Sequence, residues 1–330
     1  MTTQGPLGIV AGNRHTPQPA VPQRRLPNLF IIGAMKSATS SLHDYLDRHP
    51  RLFMSRFKEP QFFAPHRTPQ GYRWGQGQPA PEPGDGWYFR LFDHAGDVDY
   101  AGESSTAYTR RPRIEGAAER IHAHCPDARL IYVMRDPVER SISHYRYNVA
   151  NRIEGRPILT ALRRDPVYVD HSRYDLQLEP YLRTFGRERL FLVAMERLLA
   201  EPGEVTRELC RWLGINPDID LGPFPASNAT TRPDRVLRPS CHALAAWARH
   251  RRVRALGQRL PPVTRRWMER AATRPVVPMD VAEKQRAIAY LRQQLTPSVA
   301  RLRDAVAFDD SGWTHFPRRL TADTAARQAA

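Results

Sequence analysis

Lysine is almost missing from this chain. It occurs only as Lys36, Lys58 and Lys284, while arginine supplies every other basic side chain. Where arginine is the default cation, a retained lysine points to a site that wants a compact ammonium rather than a planar fork. Cysteine is equally sparse. Cys125, Cys210 and Cys241 are scattered, which excludes a disulfide framework and zinc-ligand spacing and suits idle thiols in a reducing cytoplasm. No run of about 18 apolar residues exists, so no transmembrane helix is expected. The N-terminus, "MTTQGPLGIVAGNRHTPQPAVPQRR", lacks the apolar stretch of about 7–15 residues that a secretory signal needs. Rich in proline and glutamine, residues 1–25 are expected to form a disordered leader of a cytoplasmic protein. The formal charge of +16 suggests polyanionic partners. Its arginines are spread along the chain without a known nucleic-acid motif, so nucleic acid is not expected among them.

What is present reads as an α/β protein. Three apolar, β-rich runs stand out: Leu29–Ile32, Leu130–Met134 and Leu190–Val193. Each is too short for a helix and too continuous to have one wet face, as in buried parallel strands. A helical pattern follows each of them. After the second, Asp136 is placed to cap a helix, with Pro137 in its first position and Glu139 closing a capping box. After the third, Val205, Leu209, Trp212 and Leu213 form an apolar stripe ending at Gly214, a C-cap residue. A last helix is expected from Asp280, with Glu283 in capping-box position and Ile288, Leu291 and Leu295 on its apolar side. Such alternation predicts a parallel sheet flanked by helices, with the ligand beyond the carboxyl ends of the strands.

The stretch "FIIGAMKSATSSLHDYL", Phe30 to Leu46, runs from a strand through a glycine, a lysine and a cluster of hydroxyls into a helix. Backbone N–H groups and a helix N-terminus converge on such a turn, which suits an anion. The ATPase loop requires G-x-x-x-x-G-K-[ST] with a hydroxyl on magnesium. Here Lys36 follows Gly33 after only two residues, and the second glycine is missing. The second strand runs into Arg135, where a Walker-B strand carries an aspartate for the metal. The loop therefore suits phosphate without a magnesium site, which argues against an ATP-dependent kinase.

Together, "GAMKSATSSLHDYLDRHP", "KEPQFF", "GESSTAY" and "VMRDPVERSISHY" resemble the motifs of sulfotransferases that use 3′-phosphoadenosine 5′-phosphosulfate. Their order and spacing are similar to those of the carbohydrate branch, which includes the heparan sulfate enzymes, and of its bacterial relatives. The resemblance runs from about Pro27 to Trp313 and implies a P-loop-like central parallel sheet flanked by helices. One sulfotransferase domain would occupy 26–316, with a basic helical insertion at 237–275 and a disordered tail at 317–330.

The resemblance implies that Lys36, Ser37, Ala38, Thr39, Ser40 and Ser41 wrap the 5′-phosphosulfate, with Lys36 balancing charge on the bridging oxygen. Arg135 and Ser143 would hold the 3′-phosphate. A guanidinium at a strand's carboxyl end is well placed to grip phosphate, whereas Ser143 would stand about 9 Å up the following helix. Ala38 departs from the glycine common at that point. A residue with a Cβ tolerates positive φ poorly, so the loop is expected to bend there with negative φ. Tyr174 and Asn228 fall near positions around the nucleotide or acceptor.

Transfer to an alcohol needs a base. "GESSTAY" offers no histidine, and the branch's K-E-x-x-F-F glutamate corresponds to Glu59. A carboxylate among aromatics such as Phe62 and Phe63 is suited to taking up a proton, while Lys58 keeps it ionised. Glu103 is the alternative base. His43, His49, His122 and His124 are expected to be surface or core histidines. The expected activity is metal-independent transfer of a sulfuryl group to a hydroxyl or amine of a carbohydrate, lipid or natural product, leaving adenosine 3′,5′-bisphosphate. Two alternatives are a non-catalytic protein that binds polyanions or membrane surfaces on the same fold, and an ATP-dependent kinase. The run Pro65–Gly86 reads as a lid or acceptor loop. Within 237–275, Arg249, Arg251, Arg252 and Arg254 lie beside Trp247 and Leu256. That segment is expected to pack as a helical subdomain, with contact to an anionic membrane surface as the second possibility.

Overall fold

Leu29 and Ile31 pack on one side of the first strand, Phe30 and Ile32 on the other, and all four are fully buried. Successive side chains of a strand point to opposite faces, so a run apolar at every position belongs between two layers. The computed structural model describes residues 25–64, 66–68, 71–73, 86–151, 153–225, 235–237, 273–275 and 280–317.

In chain order, β1 (Leu29–Gly33) leads through a loop to α1 (Thr39–Leu46) and β2 (Leu52–Met54). A short antiparallel pair, β3 (His66–Thr68) and β4 (Gly71–Arg73), precedes α2 (Gly86–Phe89) and β5 (Tyr100–Ser104). Next come α3 (Ala117–His124), β6 (Arg129–Met134) and α4 (Pro137–Ala150), followed by α5 (Ile158–Arg164), α6 (Val167–Asp170) and α7 (Tyr174–Phe185). Then β7 (Leu190–Ala194), α8 (Met195–Ala200) and α9 (Pro202–Leu213) lead to a second antiparallel pair, β8 (Arg235–Leu237) and β9 (Thr273–Pro275). The last helix is α10 (Val281–Ala305).

Five strands form one parallel sheet in the order β2-β5-β1-β6-β7. β1 is central; the chain goes first to the edge strand β2, returns through β5 to the place beside β1, and then crosses to β6 and β7 on the other side. That reversal opens a crevice at the carboxyl ends of β1 and its neighbours. One face of the sheet is covered by α1, α8 and α9 through Leu42, Leu46, Leu198, Val205, Leu209 and Leu213. The other is covered by α3, α4, α7 and α10, which bring Ile121, Ile142, Leu178, Leu291 and Leu295 to the core. Complete burial of one such leucine or isoleucine contributes about 1.5–3 kcal/mol.

The expected caps hold, with one correction. Asp136 accepts from the N–H groups of Val138 (2.9 Å) and Glu139 (3.3 Å), with Pro137 in the first turn. The reciprocal arm is not Glu139: the Asp136 N–H is taken by Glu196 of α8 at 2.9 Å. Glu139 is drawn instead to Arg135 and His315, so its side chain ties α4 to the end of β6 and to the C-terminal segment. Asp280 accepts from the Glu283 N–H at 2.9 Å, and α9 ends at Gly214 with φ 75°. Two strands absent from the sequence reading, β2 and β5, complete one half of the sheet. Most of Pro65–Gly86 and of 237–275 lies outside the described residues, as do 1–24 and 318–330. Among the described residues, no helix is long and apolar enough to cross a membrane.

Candidate active site

The loop between β1 and α1 sits where the strand order reverses. It winds through two left-handed residues, Lys36 at φ 71° and Ala38 at φ 59°. The expectation of negative φ at Ala38 is therefore wrong. The tight turn that glycine usually serves is made here by an alanine at a cost of about 1–2 kcal/mol, set against burial of Ser37, Thr39 and Ser41 on either side. Ala38 is also the N-cap of α1 and offers no side-chain cap. The first N–H groups of that helix are thus not claimed by a capping side chain, which is the local condition for anion binding.

Two side-chain donors beside this turn are buried without a partner: the Ser37 Oγ and the Arg135 Nε. Leaving a buried donor unpaired costs about 1–3 kcal/mol, so both point to a group that the protein itself does not supply. Arg135 lies just past β6, and its backbone is held by the buried Tyr174 hydroxyl, which donates to the Arg135 carbonyl (2.8 Å) and accepts from its N–H (3.2 Å). Tyr174 thus sits behind Arg135 as a brace. Its guanidinium pairs loosely with Glu139 at 3.5 Å. Glu139, Ser143 and Tyr147 follow one another at single-turn intervals on α4, and Ser143 is half-buried. The Lys36 ammonium lies 4.8 Å from the centre of the Tyr147 ring, which joins the loop to that helix face. Burial, and then the Arg135 charge, lower the Lys36 pKa.

The "KEPQFF" segment closes the loop from the opposite side. The Lys58 ammonium donates to the Ser40 hydroxyl, and burial lowers its pKa. Glu59, itself at φ 58°, accepts from the Thr106 N–H (3.0 Å) and from the Thr106 hydroxyl (3.1 Å). The carboxylate is thus held by hydrogen-bond donors, whereas Phe62 and Phe63 join an aromatic cluster with Trp87 and Tyr88. Arg110 donates to the same Thr106 hydroxyl at 3.1 Å.

Glu103 is placed differently. It is fully buried in β5, where the Tyr108 and Tyr88 hydroxyls donate to it. Burial pushes its pKa up to about 8. It lies on the core side with the two tyrosines, out of contact with solvent. His43 and His49 are buried core residues with partners. His43 bridges the Ser104 hydroxyl (2.7 Å) and the Ser55 carbonyl (3.1 Å), and His49 reaches the Asn216 carbonyl at 3.0 Å. Burial, followed by the Lys58 charge, lowers the His43 pKa. Asn228 lies outside the described residues.

The structure therefore brings Lys36, Ser37, Ser40, Lys58, Glu59 and Arg135 to one crevice and leaves Glu103 beneath it. Tyr147, Thr106 and Arg110 were missed in the sequence, although the dense "TRRPR" run after "GESSTAY" was a usable signal for the last. Among the described residues, no group of three or more His, Cys, Asp or Glu side chains is arranged to hold a metal ion.

Residues 27–219 match the Sulfotransferase family. The chain belongs to that family. It is 32% identical over 197 residues to the human heparan sulfate glucosamine 3-O-sulfotransferase 6, a match spanning 56% of this chain and 52% of that protein. The mouse heparan sulfate glucosamine 3-O-sulfotransferase 3A1 is 30% identical over 203 residues, 58% of this chain and 47% of that one. The chain thus spans about half the length of these relatives. In three dimensions it is similar to a sulfotransferase from Alicyclobacillus acidocaldarius, with a TM-score of 0.59, 25% identity, and coverage of 88% of this chain and 99% of that chain. The sulfotransferase fold expected from the sequence is thereby borne out, as is the resemblance to the heparan sulfate enzymes and their bacterial relatives.

Proposed function

We propose that this sulfotransferase moves a sulfuryl group from 3′-phosphoadenosine 5′-phosphosulfate to a hydroxyl or amine of a carbohydrate, lipid or natural-product acceptor. The observation that carries this reading is the β1–α1 turn, with its uncapped helix start, two lysines and unpartnered Ser37 and Arg135 donors. This donor set fits a doubly phosphorylated nucleotide: Lys36 to Ser41 for the 5′ group, Arg135 and Ser143 for the 3′-phosphate. The bound donor supplies an activated sulfuryl group on a phosphate leaving oxygen.

Every other contribution comes from the chain. Lys36 places a partly desolvated ammonium where negative charge grows on the leaving oxygen, and such preorganised charge acts most strongly where water is excluded. Lys58 fixes the Ser40 hydroxyl and so the far wall of the turn. Glu59, oriented by Thr106, takes the acceptor proton as the new oxygen–sulfur bond forms. The half-exposed edge of Tyr147 covers Lys36. Positioning and electrostatics account for the rate, and no metal is needed in such a scheme.

The relatives named for heparan sulfate favour a glycan as the first acceptor class to test. Calorimetry with adenosine 3′,5′-bisphosphate against ATP tests the donor, with tight binding of the former expected. A sulfate-transfer screen over sugars, lipids and phenols with mass detection tests the acceptor. Binding of ATP but not of the bisphosphate would overturn the reading in favour of a kinase. Bisphosphate binding without transfer to any acceptor would favour a binding protein.

A further inference from the structure

Arg110 follows the 3₁₀ turn Thr106–Thr109 and turns its guanidinium back over that turn. Its Nη2 donates to the Thr106 hydroxyl at 3.1 Å, and its Nε is buried without a partner. Among the described residues, no carboxylate hydrogen-bonds to it. Glu59 lies within its field but accepts its hydrogen bonds from Thr106 and Gln61 instead. Burial lowers the Arg110 pKa, and Arg113 adds to the effect, while Glu59 and Tyr147 oppose it.

The surroundings on the other side add positive charge rather than remove it. Arg140, on α4, is fully buried, and its hydrogen-bond partners are neutral: the Ser172 hydroxyl and, at 2.7 Å, the Tyr168 carbonyl. Its Nη1 has no partner. His144 and His171 stack at 5.7 Å, both buried, and each has an unpartnered Nδ1. After burial itself, Arg140 and then Arg110 are what keep both rings neutral. Unpartnered nitrogens on Arg110, Arg140, His144 and His171 thus share one electrostatic neighbourhood next to Lys36 and Glu59. Buried polar groups are almost always hydrogen-bonded, and a buried guanidinium lacking an anion is costlier still. For the Arg110 guanidinium, an obligate donor that carries charge, the partner that fits its free Nε–H is an anion.

We propose that Arg110 is an acceptor-recognition residue that takes an acidic substituent, a carboxylate or a sulfate, lying beside the group to be sulfated. The same guanidinium anchors Thr106, and Thr106 holds Glu59, so the acidic handle and the base are fixed by one side chain. An acceptor gripped there would present its neighbouring hydroxyl to Glu59 at a set distance, and a neutral analogue would lose that register. This inference rests on the sulfotransferase reading and narrows its acceptor to an acidic one.

Glucuronate and glucose are a matched pair of probes, differing only in the acid group. Calorimetry on the full chain saturated with adenosine 3′,5′-bisphosphate should show glucuronate binding at least tenfold tighter than glucose. Arg110→Gln should erase that difference while leaving bisphosphate affinity unchanged. Arg110→Lys, which keeps the charge but loses the Nε donor, should fall between the two and guards against a misfolded glutamine variant. With 15N-labelled arginine, the Arg110 Nε–H signal should shift on adding glucuronate and not glucose. Equal binding of the two sugars, or undiminished glucuronate preference in Arg110→Gln, would overturn the proposal. So would a tenfold loss of bisphosphate affinity in that variant, which would place Arg110 on the donor side. Failure of the unaltered protein to bind bisphosphate would instead count against the sulfotransferase donor reading itself.

Discussion

The Glu59 carboxylate takes both the backbone N–H and the hydroxyl of Thr106, at 3.0 and 3.1 Å. One residue of the "GESSTAY" segment thereby orients the glutamate of "KEPQFF", two motifs that lie far apart in the chain. If Glu59 is the base, Glu59→Gln keeps the shape and removes the proton acceptor. Transfer should fall by about 10²–10⁴, with bisphosphate binding unchanged by calorimetry. An active Glu59→Gln together with a dead Glu103→Gln would pass the role to Glu103.

Glu103 carries a prediction about stability instead. Its pKa is raised from 4.5 to about 8 by burial, so in that window the folded protein holds a proton that the unfolded chain has lost. The stabilisation is complete below pH 4.5 and is lost as pH rises toward 8, at up to about 1.4 kcal/mol per pH unit. Glu103→Gln, neutral throughout, should flatten the pH dependence of urea midpoints between pH 5 and 8. It should also be the more stable of the two proteins above pH 8. Parallel curves for the two would show that Glu103 is ionised in the fold.

Lys36→Ala should reduce kcat by about 10²–10³, the usual cost of losing one donor to a developing oxyanion. Bisphosphate affinity should weaken less than turnover, because the helix start, Ser37 and Arg135 remain. Single-turnover kinetics at saturating donor separates the two effects, and near-normal turnover would remove Lys36 from the chemistry.

How much of this was legible in the sequence depended on which residue carried the signal. β1, β6 and β7 announce themselves because both their faces are buried, so apolar residues run without a break. β2 is only three residues long, and β5 reads "YAGES", with a glutamate whose burial depends on Tyr88 and Tyr108 from elsewhere in the chain. Lys36 and Arg135 are visible because each stands at the end of a clear strand. The left-handed Ala38 is not, since the compensation that holds it there is tertiary: the buried neighbours and the contacts that Lys58 and Tyr147 make with the loop. Glu139 failed as a capping-box partner for the same kind of reason, because Glu196 reaches the Asp136 N–H first. Arg110 belongs to the site only through Thr106, a contact that no spacing rule expresses.

Activity should persist in a chelator. The strand that carries a metal-binding aspartate in NTPases leads here to Arg135, and the scheme assigns charge neutralisation to Lys36 and Arg135. Transfer assays with and without EDTA should agree within error, and loss of activity restored by magnesium would favour phosphoryl transfer.

The base of the loop makes the last prediction. A Cβ on Gly33 would come within 2.3 Å of the Thr109 Oγ1 and 2.5 Å of the Tyr132 Cε2. Neither neighbour gives way cheaply. The Thr109 hydroxyl donates to the Ile32 carbonyl at 2.8 Å, and the Tyr132 ring packs edge-on against Tyr174, 5.8 Å away. Tyr174 in turn brackets the Arg135 backbone through its hydroxyl. Gly33→Ala should therefore destabilise the fold by about 1–3 kcal/mol, the usual cost of overpacking. Because the displaced Tyr132 leans on the brace behind Arg135, bisphosphate affinity should fall as well, even at temperatures where the variant is fully folded. Adding Thr109→Ala removes the nearer obstacle and should recover part of the stability, while the Tyr132 contact keeps affinity depressed. Full recovery of affinity in the double variant would show that the threonine alone governs the loop, and an unchanged urea midpoint in Gly33→Ala would show that the strand end has room to spare.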